Sequence, residues 1–444
     1  MSTLPTLPPG PAPATRGSES LNTPQMKRIL ASSFLGSAIE FYDFMLYASA
    51  SALVFSQVFF ASLSPGMATV ASFGTLAAGY VARPLGGIVF GHFGDRLGRK
   101  GVLVTTMLLM GIATALIGLL PTYEQIGLAA PLALVALRII QGFAVGGEWG
   151  GAMLIALEHA PGGKRGFAAS FANLGAPAGS ILSAGVLGLF SLLPEDQFLS
   201  WGWRIPFLLS VVLVLIGMFV RLKVVESPMF VQFDREAEER RVPLIAVLSK
   251  SPKVLVLGTL VAVSQLTISG MASVWGLSHA TAQGVDQTFA LNAKVASALA
   301  LFLTTLLAAR LSDRWGRRPV IGVGIAGAIL LAYPLLLMID AGDNLLFGVA
   351  VIAAQAVQGI ILGPLAAFLA ELFPTAVRFT GSSLAFQGAS ALGAGFTPIF
   401  AGALAASAGG LPALGGTWIA VLAACAVALF VMPESSKRDL TSIR

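Results

Sequence analysis

The sequence has few of the residues on which soluble enzymes and metal proteins depend. Only 11% of its 444 residues are charged, whereas an ordinary soluble domain has about 25%. The single cysteine, Cys425, excludes an intrachain disulfide and a cysteine-rich metal site. The spacing of the three histidines, His92, His159 and His279, fits no metal site. With no nucleophile–base constellation either, we expect neither an enzyme nor a metalloprotein.

The sequence is rich instead in long apolar runs, since 56% of its residues are hydrophobic. Runs of about 20 apolar residues are long enough to cross a bilayer as helices. The 50 glycines allow such helices to approach closely in lipid. We therefore predict an all-α membrane protein with twelve transmembrane helices in two pseudo-repeated six-helix bundles. The helices are placed near 29–55, 68–92, 101–120, 128–158, 167–193 and 204–222, then near 252–280, 289–310, 319–339, 344–370, 379–407 and 413–432.

An internal repeat supports the division into two bundles. The stretch GHFGDRLGRK at residues 91–100 recurs as ARLSDRWGRR at residues 309–318, with Ala309 in place of the leading glycine. Three further motifs repeat in the same order at offsets of 208 to 217 residues, close to the 218 of this stretch. The last of them is Glu226-Ser227, repeated as Glu434-Ser435. Motifs repeated in order at one spacing are typical of a duplicated bundle.

The polar segments set the domain boundaries and the orientation. We expect a disordered tail over 1–28, the first bundle over 29–222, a charged linker over 223–251, the second bundle over 252–436 and a short tail over 437–444. Of the 27 basic residues, 23 lie on the side shared by both termini. Because positive loops stay inside, both tails and the linker are predicted to be cytoplasmic, in a plasma (inner) membrane protein.

The four remaining basic residues are predicted to lie elsewhere. Arg204 and Lys294 are predicted to lie on the opposite side, and Arg83 and Arg138 within the membrane. The net charge of +6 does not predict nucleic-acid binding, because the basic residues lie in short loops and form no continuous face.

The motifs resemble those of a known superfamily. Twelve spans, a six-plus-six repeat and the G-x-x-x-D-R-x-G-R-K loop after helix 2 are similar to the major facilitator superfamily. Further strings resemble its metabolite:proton symporters, and GEWGGA at residues 147–152 is similar to the shikimate-transporter branch. Phe41 stands where that family usually has tryptophan. The strings are GSAIEFYDF at 36–44, RPLGG at 83–87, QG at 141–142, GGEW at 146–149 and WGWRIPF at 201–207.

Five ionisable residues are predicted to lie deep in the membrane, all in the first half: Glu40, Asp43, Arg83, Arg138 and Glu148. A charge there costs about 2.5 to 3.5 kcal/mol, so each is a functional candidate. Glu40 and Asp43, three residues apart, share one helix face and cannot both ionise easily in a poorly solvated cavity. One of them can therefore carry a proton.

Arg138 provides the partner for this proton carrier. It can pair with ionised Asp43 and, when Asp43 is protonated, hold an anionic substrate group. The resemblance implies the same pair, since proton-coupled sugar carriers of the superfamily use an aspartate and an arginine at positions matching Asp43 and Arg138. Asp43, Glu40 and Arg138 are thus predicted to couple the proton, although a static ion network that fixes helix packing is the alternative.

The predicted substrate contacts combine two arginines with neutral side chains. Arg83 and Arg138 would bind a carboxylate, while the second half, nearly free of intramembrane charge, would supply amides. Each neutral residue could equally be a helix-packing group. The candidates are Arg83, Arg138, Tyr42, Gln141, Trp149, Gln265, Gln355 and Gln358.

Charged residues at the predicted cytoplasmic helix ends form a third set. Family behaviour implies that they make inter-helix salt bridges that close the inner side in one state. Glu148 joins them as a gate or network member, because it lies about 15 Å along its helix from Arg138. The set is Asp95, Arg96, Arg99, Glu148, Glu158, Arg165, Asp313, Arg314, Arg317, Glu371 and Arg378.

Together these features predict a carrier that needs no cofactor beyond the proton gradient. The expected function is import of a small organic acid with a proton by alternating access, the acid being shikimate-like, a dicarboxylate or an aromatic carboxylate. Uptake of a zwitterionic osmolyte such as proline or betaine, and proton-driven efflux, are the alternatives. The expected partners are the acid, the proton and the lipid bilayer, with no nucleic acid, and the carrier is expected to be a monomer.

Overall fold

The computed structural model describes residues 23–97, 99–161, 163–222, 243–374 and 377–436. Within these ranges twelve helices are long and apolar enough to cross a membrane, which confirms the predicted fold class. The first half comprises α1 (Pro24–Leu53), α2 (Pro65–Phe93), α3 (Gly101–Leu119), α4 (Ala129–Glu158), α5 (Arg165–Phe190) and α6 (Glu195–Phe219). The second half comprises α7 (Pro252–Ala282), α8 (Gln287–Trp315), α9 (Arg317–Asp340), α10 (Asn344–Leu372), α11 (Arg378–Ala405) and α12 (Gly410–Val431).

The first helix begins earlier than the apolar pattern indicated. Thr23 caps it, accepting the Met26 N–H on its hydroxyl at 3.2 Å, and Pro24 occupies the first turn. Met26 and Leu30 then pack against α4 and α5. Residues 24–28, assigned from the sequence to a disordered tail, are therefore part of α1, while residues 1–22 lie outside the described part of the chain.

The end of the predicted linker is helical. A linker helix, Pro243–Lys250, packs its buried Val247 against α2, α7 and α11. Residues 223–242 and 437–444, where the rest of the linker and the second tail were predicted, lie outside the described residues.

Two helices of the second half carry a π-helical turn where they meet. Residues Gly270–Trp275 of α7 and Ser390–Gly395 of α11 have this wider winding. A Cβ on Gly270 would come within 3.1 Å of the Gly393 carbonyl oxygen, so only small residues allow this approach. Such turns inside membrane helices often mark functional positions.

The two halves meet along several helix pairs. Helix α5 packs against α8 and α10, and α2 packs against α11. The coupling and substrate-binding candidates of the first half lie on α1, α2 and α4, and those of the second half on α7 and α10.

Candidate functional site

Glycines bring α2 and α4 into backbone contact, and this contact positions the two intramembrane arginines. A Cβ on Gly142 would collide with the backbone of Gly79, and a Cβ on Gly86 with the backbone of Phe143. A Cβ on Gly79 would also lie 2.5 Å from Arg138 Nε, so the glycine leaves the space that the guanidinium fills. Close packing at small residues is how membrane helices associate without a hydrophobic driving force between them.

Arg83 and Arg138 both lie against the ring of Phe44 on α1. Their guanidinium carbons are 3.6 Å and 3.9 Å from the ring centroid, and both arginines are buried. Arg83 also contacts Tyr80 at 4.6 Å, and Arg138 contacts Tyr47 at 4.0 Å. Aromatic faces stabilise cations without neutralising them.

Asp43 and Arg138 are joined through two intermediate side chains. Thr114 on α3 donates its hydroxyl to Asp43 Oδ2 at 3.0 Å and accepts a hydrogen bond from Gln141 Nε2 at 2.7 Å. Gln141 Oε1 in turn accepts from Arg138 Nη1. The predicted partners are thus brought into one cluster, but through a Thr114–Gln141 relay and not as a direct ion pair. Thr114 was missed by the sequence reading, because nothing local distinguishes one threonine of an apolar helix from another.

The other two intramembrane carboxylates belong to the same cluster. Glu40 and Glu148 are both buried. Glu40 is close enough to Arg83, and Glu148 to Asp43, for electrostatic interaction. The five charges predicted from the sequence therefore lie together, as either a coupling site or a static network would require.

The predicted contacts of the second half form one amide pair and one amide–hydroxyl pair. Gln358 Nε2 donates to Gln265 Oε1 at 2.9 Å, and Gln355 Nε2 donates to Ser273 Oγ. Within the described part of the chain, Oε1 of Gln355 and of Gln358 accepts no hydrogen bond although both atoms are buried. Buried polar groups are normally satisfied, so these two acceptors are available to a ligand.

Two other candidates have structural partners. The Tyr42 hydroxyl donates to the Pro206 carbonyl at 2.7 Å, which ties α1 to α6. Trp149 stacks on Phe386 of α11 at 3.9 Å and donates to Asn173 at 3.2 Å. Trp149 lies about 16 Å along α4 from Arg138, so it joins the halves away from the arginine cluster.

Two further hydrogen bonds cross between the halves near this stack. Asn173 Nδ2 donates to the Leu362 carbonyl at 2.7 Å, and Gln387 Nε2 donates to the Gly146 carbonyl at 3.3 Å. Together with the ring stack, they close the space between α4, α5, α10 and α11.

The second copy of the basic motif holds the halves together at the helix ends. Asp313 accepts the backbone N–H of Gly166 and of Phe167, both at 2.9 Å, and so caps the start of α5 from the other half. Arg317 pairs with Asp313 at 2.7 Å and with Glu371 at 3.3 Å. A carboxylate that caps a helix of the opposite half favours the state in which this end is closed.

Glu434, repeated from the Glu226-Ser227 motif, caps the start of α9. Its carboxylate accepts the backbone N–H of Arg317 at 2.8 Å and of Arg318 at 2.9 Å. Partial burial raises the pKa of Glu434, but these hydrogen bonds and those from Ser436 outweigh it and leave the pKa below its usual range. The repeated motif therefore has a structural use in its second copy.

The remaining predicted gate residues differ in their surroundings. Glu371 and Arg378 are buried, Glu158 and Arg165 are half-buried, and Arg314 is exposed. Arg378 Nε donates to the Phe373 carbonyl at 3.2 Å. The side chains of Asp95, Arg96 and Arg99 lie outside the part that the structure describes.

Lys294 departs from its predicted position on the outer side. It is buried in α8, only 2% exposed, and its ammonium donates to Ser49 Oγ of α1 at 2.9 Å. The signal that could have found it is its place inside the predicted span 289–310.

Comparison with known proteins places this arrangement in a family. The Major Facilitator Superfamily model matches residues 33–386 and 295–443. An inner membrane metabolite transport protein of Escherichia coli (strain K12) is 41% identical over 378 residues, which cover 84% of this chain and 86% of that protein. The shikimate transporter of the same organism is 39% identical over 439 residues, which cover 96% and 98%.

More distant matches agree on the fold. The proline/betaine transporter of Escherichia coli (strain K12) is 33% identical over 389 residues, which cover 84% of this chain and 77% of that protein. A solved proton:xylose symporter bound to 6-bromo-6-deoxy-D-glucose superposes with a TM-score of 0.78 over 94% of this chain and 98% of its own, at 18% identity. The chain therefore belongs to the Major Facilitator Superfamily, among the metabolite transporters that its motifs resemble, and is a transporter and not an enzyme.

Proposed function

We propose that the protein imports a small organic acid together with a proton, by alternating access between its two halves. The acid is shikimate-like, a dicarboxylate or an aromatic carboxylate. Among the relatives, the shikimate transporter supports this proposal, since its alignment covers 96% of this chain. The two buried arginines of the first half also favour an acidic solute.

The observation that carries the proposal is the pair of buried guanidinium groups on Phe44. Nε and Nη2 of Arg138 and Nε of Arg83 have no hydrogen-bond partner among the described residues. Buried N–H groups of a guanidinium are costly when unpaired, and a carboxylate matches their fork geometry. A carboxylate between α1, α2 and α4 would satisfy them.

Coupling follows from the relay between Asp43 and Arg138. The Thr114 hydroxyl has one hydrogen, and its oxygen lies 3.0 Å from both Asp43 Oδ2 and the Met110 carbonyl oxygen. When Asp43 is ionised, Thr114 donates to it and the carboxylate offsets the charge of Arg138. When Asp43 is protonated, the carboxyl can donate to Thr114, whose hydrogen turns to Met110, and Arg138 is left to attract an anion. Proton and acid would then bind together.

The contacts between the halves supply the alternating access. The Trp149–Phe386 stack and the Asp313 cap on α5 close one end and must open for release at that end. We assign this end, both termini and the linker to the cytoplasm of a plasma (inner) membrane protein, because it carries the basic loops. We also propose that the carrier works as a monomer and that the proton gradient drives transport without a cofactor.

The test is uptake into proteoliposomes with and without an inward proton gradient. The labelled solutes are shikimate, 2-oxoglutarate, protocatechuate, proline and betaine. We expect one acid to accumulate only with the gradient. Accumulation of proline or betaine alone would favour the zwitterion alternative, and accumulation driven by an opposite gradient would favour efflux. If no solute responds to a gradient, the proposed function is wrong.

A further inference from the structure

Lys294 is a buried cation that the proposed mechanism has not used. It lies seven residues after the start of α8, about 10 Å along the helix. The partner residue Ser49 lies six residues after Asp43 on α1, about 9 Å along that helix. The hydrogen bond between them joins the two halves at a level separate from the Asp43–Arg138 cluster.

The ammonium of Lys294 is under-satisfied where it lies. It has three hydrogens to donate, and within the described part of the chain its side chain makes one hydrogen bond, to the neutral hydroxyl of Ser49. No carboxylate among the described residues lies within ion-pair distance of it. A buried charge at membrane depth normally has an opposite charge as its partner. The missing partner of Lys294 is therefore an anion.

Other charged side chains of the membrane interior do not fill this role. Glu40 and Glu148 interact with the cluster around Arg83 and Asp43. In the second half, Glu371 pairs with Arg317 and Asp340 with His279, while Asp286 and Asp343 cap helix starts. Lys294 is also the one lysine among the described residues that is buried. It lies on α8 of the second half and contacts α1 of the first, so the second half contributes a buried lysine where the halves meet.

We propose that Lys294 is a carboxylate-binding residue of the transport path, which holds the anionic group of the acid on the α8 side and releases Ser49 when it does so. This inference rests on the proposed function. It gives the substrate a cation from each half: Arg83 and Arg138 from the first, and Lys294 from the second. An anion held from both sides draws the halves together, which is the contact that alternating access needs.

Three variants distinguish carboxylate binding by Lys294 from a purely structural role of its hydrogen bond to Ser49, which is called the latch below. Lys294→Gln removes the charge, Lys294→Arg keeps it, and Ser49→Ala removes the latch bond while keeping the ammonium. Transport of the acid identified above is measured at varied concentration in proteoliposomes. We expect Lys294→Gln to raise KM by about 10- to 100-fold, as for loss of a hydrogen-bonded charge, with the ratio of uptake with and without the gradient retained. Lys294→Arg recovers most of the affinity, and Ser49→Ala changes KM by less than about threefold.

The opposite results overturn the proposal. Equal effects of Lys294→Gln and Ser49→Ala would leave only a latch, and an unchanged KM in Lys294→Gln would leave no role in binding. These outcomes differ from failure of the proposed function, in which the wild-type protein itself accumulates no acid with the gradient.

A measurement on the wild-type chain covers the case in which Lys294→Gln does not fold. A small amine-reactive reagent is applied to the full-length protein in proteoliposomes, and modification of each lysine is followed by mass spectrometry. We expect the bound acid to slow modification of Lys294 and not of Lys27, which is exposed at the start of α1. Equal protection of both lysines, or of neither, contradicts a carboxylate contact at Lys294.

Discussion

The two halves of the protein share one fold but carry different chemistry in the membrane interior. In the first half, the described interior holds three buried carboxylates and two buried arginines, and both arginines lie against Phe44. The described interior of the second half has two hydrogen-bonded pairs, Gln358 with Gln265 and Gln355 with Ser273, and the buried lysine Lys294. Duplication has preserved the scaffold, and the two copies of the interior have diverged.

This difference suggests a division of labour. Carboxylates and arginines change their interactions with protonation, so we assign proton coupling to the first half. Amides hold a solute in one orientation at any pH near neutrality, so we propose that the second half contributes to solute selection.

Asp43→Asn is the variant with the largest expected effect on the proposed division of roles between the halves. Asparagine keeps the shape and can still accept from Thr114, but it binds no proton. We expect gradient-driven accumulation to fall by more than about 100-fold, the scale of losing one essential proton-transfer group. Exchange of labelled for unlabelled acid should be partly retained.

The matched control for that variant is Asp340→Asn. Asp340 pairs with His279 at 2.8 Å at the end of α9, remote from the cluster. Accumulation should depend on the gradient in Asp340→Asn as in the wild type. If Asp43→Asn still accumulates the acid against its gradient, coupling does not depend on Asp43.

Arg138→Lys tests whether the geometry of the cation matters as well as its charge. Lysine keeps the positive charge but cannot contact Phe44 and Tyr47 as a flat fork or bind a carboxylate through two N–H groups. We expect KM for the acid to rise by about 10- to 100-fold, the cost of hydrogen bonds to a charged group. Initial-rate uptake at varied acid concentration measures it.

Arg204→Lys provides the control, because Arg204 donates to the carbonyls of Gly118 and Leu120 at the end of α3. Its KM should stay within about twofold of the wild-type value, as for substitutions away from a site. An equal rise in both variants would mean that the effect is general destabilisation.

Thr114→Val tests the relay between Asp43 and Arg138. Valine keeps the shape of the side chain, but the hydrogen bond to Asp43 and the one from Gln141 are lost. We expect coupled uptake to fall by about tenfold, in keeping with loss of a hydrogen bond to a charged group. The control is Thr106→Val, which removes a buried hydroxyl on the same helix that donates to the Leu103 carbonyl at 3.2 Å. Equal losses in both would remove the case for a relay.

The fold could be predicted because it rests on features that are local in sequence. Apolar runs of bilayer length give the number of helices, and the repeated motif at 91–100 and 309–318 gives the two halves. The start of α1 was misplaced because its first turn is polar. It is held by the Thr23 cap and by packing of Met26 on the other helices, and this packing is a tertiary effect.

The candidate site could be predicted only in part. Asp43 and Arg138 could be identified as candidates because each is a charged residue inside an apolar run. This signal does not depend on how the helices pack. The role of Thr114 and the shared ring of Phe44 depend on how α1, α3 and α4 are rotated against each other, and no sequence period fixes that rotation. Lys294 shows the same limit, since its depth could not be told from its position near a helix end.

The smallest effect is expected in the second half, from Gln358→Ala. The variant removes the donor to Gln265 Oε1 and an acceptor that is free for the solute. We expect KM to rise by about 2- to 10-fold, the scale of one neutral hydrogen bond. A cycle with Gln265→Ala separates the two contributions, because loss of the shared bond is counted once in the double variant. The ratio of uptake with and without the proton gradient should stay at the wild-type value in all three variants. A change in that ratio would mean that the amides take part in coupling, and the halves would then differ in residue type without differing in task.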